Sequence, residues 1–493
     1  MHLATLTIVF IRVFKNSHVW SVLRDIWLFS VVAYATGLYW LFISMHTYGH
    51  MAWPLAAMGV VLLASFLALY PAIMCAIAYV LMGRPANTNQ SWLRILLISL
   101  VWASAWTMAE WLRGVLFTGF PWLGAGYAHI DGWLAPWSSV VGSYGVGWFA
   151  TFTATSIAIL ACHKDTENDA KAAAGVGLAI IAGLIGIGLG YVTWTKPEGS
   201  SLIVRLVQGN VPQSEKFDAQ LMQQGIEQYM KLASLDAKSS EGKPNIIVLP
   251  ETVIPIMSAY IPTPMWQQLI RISEQKNATI IMGVPISTGA RQGTNSVIAI
   301  NQNTSLESLE QSDLKMRYDK HHLVPFGEFV PKGFQWFVNA MQIPLGTFDR
   351  GGLNQRPFNI EQQLIAPNIC YEDVFGEEII HHARDSNILL NVSNLAWFGN
   401  TWALRQHLQI ARARSLETGR PMLRSTNTGM TAAIDPNGRV RAVLNSNTPG
   451  VLDVEVQGMQ GYTPYMKWGN LPVLILSLML LVVGACNKIL FRP

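Results

Sequence analysis

Charge is what this chain has least of. Asp, Glu, Lys and Arg make up 13% of its 493 residues and hydrophobic residues 51%, whereas a soluble domain carries roughly 25% charge. Too little charge remains to wet a whole surface, so about half the chain belongs in something other than water. The net charge of +4 is small, and no nucleic-acid partner is expected from it. Cysteine is scarce too, at four. Cys75, Cys162 and Cys486 lie in or at the end of long apolar runs, as lipid-side or packing residues do. Cys370 alone falls in the polar part, with no evident disulfide partner. No metal-ligand cluster or nucleotide motif is present, so neither a metal nor a cofactor is expected.

Long apolar runs take the place of charge. Residues 26–45, 53–83, 95–109, 132–162 and 172–195 contain no Asp, Glu, Lys or Arg. All but the third are long enough to cross a hydrocarbon core of about 30 Å, and the third becomes so with its flanks, Trp92–Arg94 and Glu110–Trp111, at the interfaces. Trp468 to Cys486 completes six expected spans. Met1 to Trp20 is broken by Arg12 and Lys15, is too short to span, and lacks the small-residue cleavage site of a signal peptide.

The basic residues set an orientation. Arg12, Lys15 and Arg24 precede the first span, and Arg84 and Arg94 bracket the second loop. His163, Lys164 and Lys171 lie in the fourth loop, and Lys488 and Arg492 follow the last span. The alternate loops, 46–52 and 114–131, have no Lys or Arg. Both termini are therefore expected in the cytoplasm and residues 197–466 on the far side, the periplasm in a bacterium with two membranes. Glu110 and Arg113 read as an interfacial helix ion pair. Gly114–Tyr127, broken by Gly and Pro, reads as a segment lying at the membrane surface or dipping into it. Gly186 and Gly190 make a helix-packing pattern.

From about residue 200 the character changes. Short β-branched runs recur at Leu202–Val207, Ile246–Leu249, Thr279–Val284, Ser296–Ile300, Leu364–Ile369 and Ile388–Val392. Helical patterns at Phe217–Ala237, Pro264–Lys276 and Trp402–Thr418 lie among them. Strand pairs alternating with helices imply a layered α/β domain with mixed sheets. The expected organisation is a transmembrane domain at 1–196, an extramembrane catalytic domain at 197–466, and a closing transmembrane helix at 467–493.

Three strand ends carry polar residues. Ile247-Val248-Leu249-Pro250-Glu251 delivers a carboxylate, the stretch from Tyr318 through Lys320 to Glu328 delivers an ammonium and a second carboxylate, and Ile369-Cys370 delivers a thiol. Cys370 follows an apolar run and precedes the amphipathic segment Val374 to Asp385, which reads as strand, tight turn and helix. There the helix N-terminal N–H groups favour the thiolate. A thiol that attacks a carbonyl needs a base for its proton and positive charge for the oxyanion. Each residue also has a plainer explanation. Cys370 fits a buried structural thiol, Glu251 a helix-start carboxylate, Lys320 a solvated loop charge, and Glu328 a partner for either.

The strings LPET, YDKHHLVPFGEFVP, NICYED, NVSNLAWFGN and RQHLQIARARSLETGRPMLRSTNTG, with EWLRGVLFTGFPWLGAGY in the apolar half, resemble the apolipoprotein N-acyltransferases, the membrane-bound branch of the nitrilase superfamily. The resemblance covers residues 20–490 and implies a multi-span α-helical membrane domain joined to a nitrilase-like α-β-β-α sandwich. It implies that Glu251, Lys320 and Cys370 are general base, oxyanion-stabilising cation and nucleophile. It places Glu328, Tyr371 and Glu372 around them as supporting residues, with Glu328 holding Lys320 charged, and Phe217, Trp397 and Phe398 in loops that cover the substrate. Family members usually have two further spans before the one at 26–45; either the chain starts late or those helices are absent, and an even loss keeps the orientation. The family often has Asp where Leu395 stands, and Trp where Phe217 stands.

The reaction implied is ping-pong. The Cys370 thiol takes an acyl chain from a phospholipid donor, and the α-amine of a diacylated apolipoprotein then takes it from the thioester. Membrane lipid is the surrounding partner, and a monomer is expected. The alternatives are a membrane-anchored nitrilase-type amidase, which needs no six spans, and a transporter, whose path commonly uses ionisable residues that these spans almost entirely lack.

Overall fold

The computed structural model describes the chain except for residues 84–90, 163–165, 219, 237–241, 290–291, 336–347 and 491–493, and the side chains of 166–172 and 487–490. Arg84, His163, Lys164 and Arg492, which entered the orientation argument, lie outside the described residues. The chain divides into two compact units. One comprises residues 1–39, 57–193 and 463–493, the other residues 40–56 and 194–462.

The first unit is helical. Four helices among the described residues are long and apolar enough to cross a membrane: Val19–Gly37, Trp53–Met82, Trp92–Thr118 and Ala135–Cys162. The helices at two further expected spans, Thr166–Leu189 and Leu471–Leu490, are apolar over Ala173–Leu189 and Leu471–Cys486 among the described residues. The span expected at 26–45 is displaced. Its helix takes in Arg24 and Asp25 and ends at Gly37, because Asp25 is buried between Arg12, Arg24 and Asn16, whose side chains all donate to its carboxylate. A buried charge that is fully paired does not end a helix, so the absence of charge was the wrong boundary marker. Glu110 and Arg113 differ from expectation as well. Both are buried, and each grips the irregular loop that follows. Glu110 accepts from Ala125 N–H at 2.9 Å and Arg113 donates to the Trp122 carbonyl at 2.7 Å. Gly186 does serve packing: a Cβ there would strike the Trp133 carbonyl.

Among the described residues, the second unit is built on two six-stranded sheets and one two-stranded ribbon. The ribbon joins β1 (Thr195–Pro197) to β14 (Met459–Gly461). The first sheet contains β2 (Leu202–Gln208), β3 (Ile246–Val248), β4 (Thr279–Gly289), β5 (Gln292–Ile300), β6 (Arg317–Asp319) and β13 (Gly450–Val456), in the order β13-β2-β3-β4-β5-β6. The second contains β7 (Phe358–Ile360), β8 (Gln363–Ile369), β9 (Ile388–Ser393), β10 (Met422–Thr426), β11 (Ala432–Ile434) and β12 (Val440–Val443), in the order β12-β11-β10-β9-β8-β7. Each sheet has a parallel trio at its centre, β2-β3-β4 or β8-β9-β10, and antiparallel strands outside it.

Side-chain alternation stacks these sheets. Ile246 and Val248 of β3 point into a core shared with Ile365 and Ile369 of β8 and Leu390 of β9. Ile247 and Leu249 point the other way, against Tyr229 of the helix Met222–Ala233 and Trp266 and Leu269 of the helix Thr263–Lys276. On the second sheet, the helices Gly376–Arg384 and Trp402–Thr418 lie against β8 and β10. The layering is α-β-β-α. Strands buried on both faces read as continuous apolar runs, which is why the sequence showed them so plainly.

Candidate active site

The three residues expected to work together come from the ends of three strands, two in the first sheet and one in the second. Glu251 follows β3. The β3–β4 pairing runs on past the strand through Leu249 N–H to the Ile281 carbonyl and Gly283 N–H to the Pro250 carbonyl. Position 283 has to be glycine there, since a Cβ would stand 2.6 Å from the Glu251 Cα. Lys320 follows β6 and is tied back by its own N–H to the Asn295 carbonyl of β5. Cys370 follows β8 and opens a short 3-10 turn, Cys370–Val374.

The carboxylates flank Lys320. Its Nζ, 1% exposed, donates to Glu328 Oε1 at 2.9 Å and stands 3.6 Å from Glu251 Oε1. Burial works against the charge on Lys320, but Glu328, then Glu251 and Cys370, raise its pKa well above a lysine's usual value. The site thus favours the ammonium form of Lys320. Asn295 Nδ2 joins the two carboxylates, donating to Glu251 Oε1 at 2.8 Å and Glu328 Oε1 at 2.7 Å. The remaining oxygens are fixed by backbone, Glu251 Oε2 by Asn394 N–H and Glu328 Oε2 by Val324 N–H.

Cys370 differs from expectation. It is half-buried, and burial pushes its thiol up, with Glu251 adding to the shift and Lys320 opposing it. The resting group is the thiol, because loss of hydration and a facing carboxylate outweigh one ammonium and a short turn of N–H groups. The proton thus has to move as the sulfur attacks, and Glu251 is the carboxylate acting most strongly on that sulfur.

The backbone at Cys370 is held in the left-handed region, φ +53, a conformation that costs a non-glycine residue about 1–3 kcal/mol. What holds it is a buried network. His407 Nε2 and Asn391 Nδ2 each donate to the Cys370 carbonyl at 3.1 Å. The peptide that follows is trans, so the Tyr371 N–H points away from those donors, as an oxyanion site next to the nucleophile requires. His407 Nε2 also donates to Asp373 Oδ1 at 2.7 Å, and its Nδ1 accepts from Arg424 at 3.0 Å. That pattern fits one proton on Nε2 and a neutral ring, which burial favours. Arg424 closes the network on Asp373 Oδ2 at 2.9 Å.

Glu372 makes its hydrogen bonds to groups outside the triad. It accepts from Tyr318 O–H at 2.9 Å, from His321 N–H at 2.6 Å and from Ile369 N–H at 2.6 Å. It thereby ties the loop after Lys320 to the turn before Cys370; burial pushes its carboxyl up to about 7. Tyr371 is buried, packed edge-on against Phe375 at 5.1 Å. Phe217, Trp397 and Phe398 fall in one aromatic cluster with residues 40–48. Trp397 lies 6.5 Å from Phe217 and 6.0 Å from Tyr48, and Phe398 lies 4.4 Å from Trp40. Ser44 Oγ donates to the Trp397 carbonyl at 2.7 Å. Leu395 is buried.

Sequence reasoning missed Asn295, Lys216, Asn391, His407, Asp373 and Arg424. Asn295 sits one residue before the run read as a strand. Lys216 precedes Phe217, which drew attention for its ring. The others carried no local signal, since each acts on a residue distant in the chain.

Two family models match the chain. Residues 1–156 match the apolipoprotein N-acyltransferase N-terminal domain and residues 179–464 match carbon-nitrogen hydrolase. A Bordetella bronchiseptica apolipoprotein N-acyltransferase is 47% identical over 480 residues, covering 94% of this chain and 87% of that one. The Ralstonia nicotianae protein of the same name is 41% identical over 474 residues, covering 94% and 86%. Among solved structures, the amidase from Nesterenkonia sp. AN1 with acrylamide added at its active-site cysteine is similar at 16% identity and a TM-score of 0.38, over 52% of this chain and 93% of that one.

Proposed function

The chain belongs to the apolipoprotein N-acyltransferase family, and from that premise we propose that it moves an acyl chain from a phospholipid, through a thioester on Cys370, to the α-amine of the N-terminal S-diacylglyceryl cysteine of lipoproteins. The observation that carries the mechanism is the meeting of Glu251, Lys320 and Cys370 in one buried site. In the first step Glu251 takes the Cys370 proton while Sγ attacks the ester carbonyl. The oxyanion forms against Lys320 and the Tyr371 N–H. The C–O bond then breaks, and Glu251 returns the proton to the glycerol oxygen, releasing lysophospholipid. In the second step the amine attacks the thioester, the C–S bond breaks and the thiol re-forms.

Glu328 holds Lys320 charged, Glu372 positions the nucleophile's turn, and the cluster around Phe217, Trp397 and Phe398 shields the thioester from water. The chain is a membrane protein. The distribution of Lys and Arg supports an inner-membrane placement with both termini cytoplasmic and the α/β unit in the periplasm. One chain supplies the complete triad, so no partner subunit is needed to complete the site.

The test is purified protein given labelled phospholipid, with and without a diacylated lipopeptide. Without acceptor, a hydroxylamine-sensitive adduct should accumulate on Cys370; with acceptor, the label should move to the lipopeptide amine. Label released only as free fatty acid would mean a hydrolase, and an adduct on another residue would overturn the mechanism.

A further inference from the structure

Resting on that two-step reading, the second step has one proton more than the triad can place. An amine that arrives as R–NH3+ and leaves as the amide R–NH–CO–R′ gives up two protons. One returns to sulfur through Glu251 as the C–S bond breaks and the thiol re-forms. The other needs a second acceptor on its way to solvent. α-Amino groups titrate at about 7.7–8.0, so at neutral pH most acceptor molecules carry that extra proton.

A second base stands in the site. Lys216 closes the short helix Gln213–Lys216 and is 2% exposed. Its Nζ donates to the Glu251 main-chain carbonyl at 3.0 Å, the one hydrogen bond of that group among the described residues. No other hydrogen bond among the described residues takes its remaining N–H directions. The ionisable groups that act on it are Glu251 and Cys370, the two reacting partners themselves. Burial brings Lys216 down to about 8, close to the working pH, where a general base is most effective. Lys320 has no such freedom, because Glu328 and Glu251 keep it charged.

We propose that Lys216, as its free amine, takes one proton from the acceptor's α-ammonium, so that the amine this frees attacks the Cys370 thioester and Glu251 passes the second proton to sulfur as the C–S bond breaks. Lys216 then passes its proton to solvent, and the site is reset.

The experiment separates the half-reactions. Acyl-enzyme is formed on the parent, K216R and K216M from labelled phospholipid. The donor is removed, and the thioester is challenged near neutral pH with diacylated lipopeptide or with hydroxylamine. Hydroxylamine is already uncharged there and has only one proton to lose. Transfer to lipopeptide should slow by about 10-fold in both variants at pH 7, the factor by which the uncharged α-amine is scarce there, recovering as pH rises past the α-amine's own titration, while hydroxylamine clears the thioester at the parent rate. Equal slowing towards both nucleophiles would make Lys216 a structural residue. Undiminished transfer to lipopeptide, or folded variants that fail to acylate, would also overturn the proposal. A parent protein that forms no thioester on Cys370 would instead sink the reading on which it rests.

Discussion

Glu328→Gln tests whether Lys320 owes its charge to a second carboxylate. Two anions face its Nζ, Glu328 Oε1 at 2.9 Å and Glu251 Oε1 at 3.6 Å. At an effective dielectric of about 20 these distances correspond to about 6 and about 5 kcal/mol of attraction. Glutamine keeps the shape but removes the larger share, while the burial that opposes the charge stays. In the parent the folded pKa lies above the unfolded value of about 10.4, so the pair's stabilisation is fully present throughout neutral pH and is lost only as pH rises through the folded value. In the variant the folded value falls, and acylation should acquire an alkaline limb at lower pH than the parent's. Where Lys320 is neutral, acylation should drop by about 10²–10³-fold, as on loss of an oxyanion donor. The assay is the initial rate of thioester formation on Cys370, followed by intact mass from neutral to alkaline pH, with lysophospholipid release as an independent readout. A variant with the parent's rate and the parent's pH profile would refute the reasoning, since Lys320 would then hold its proton without Glu328.

Glu251→Gln should slow thioester formation by about 10²–10⁴-fold, because the Cys370 proton loses its acceptor; quenched-flow mass spectrometry reads this, and a parent-like burst would count against it. Asp373→Asn leaves the buried Arg424 without its carboxylate and should destabilise the α/β unit by about 3–5 kcal/mol, seen as a lowered thermal midpoint; an unchanged midpoint would show that the network is dispensable. A reporter fused after Arg492 should lie in the cytoplasm and one inserted near Ser239 in the periplasm, and finding both on one side would end the proposed topology.

Much of this fold was legible because its strands are buried on both faces. Ile246–Val248, Leu364–Ile369 and Ile388–Val392 stand out as β-branched runs for that reason, and the helix at Trp402–Thr418 matches its expected bounds. The edge strands β6, β7, β12 and β14 are short or half-exposed, so hydropathy does not mark them. Asp25 shows the limit of reading spans from missing charge: three donors from outside its own turn or beside it neutralise it inside the helix.

By itself the sequence determined that the chain is half membrane, that an α/β domain follows, and that a carboxylate, an ammonium and a thiol each end a strand. Those follow from local pattern and order along the chain. Tertiary structure decided what the three groups are when they meet. Burial together with Glu251 makes Cys370 a thiol rather than the thiolate its turn suggested. Two carboxylates joined by Asn295 make Lys320 a fixed cation, and burial beside the Glu251 carbonyl lowers the pKa of Lys216. Protonation depends on hydration and on neighbours far apart in the chain, and only the folded state brings those together.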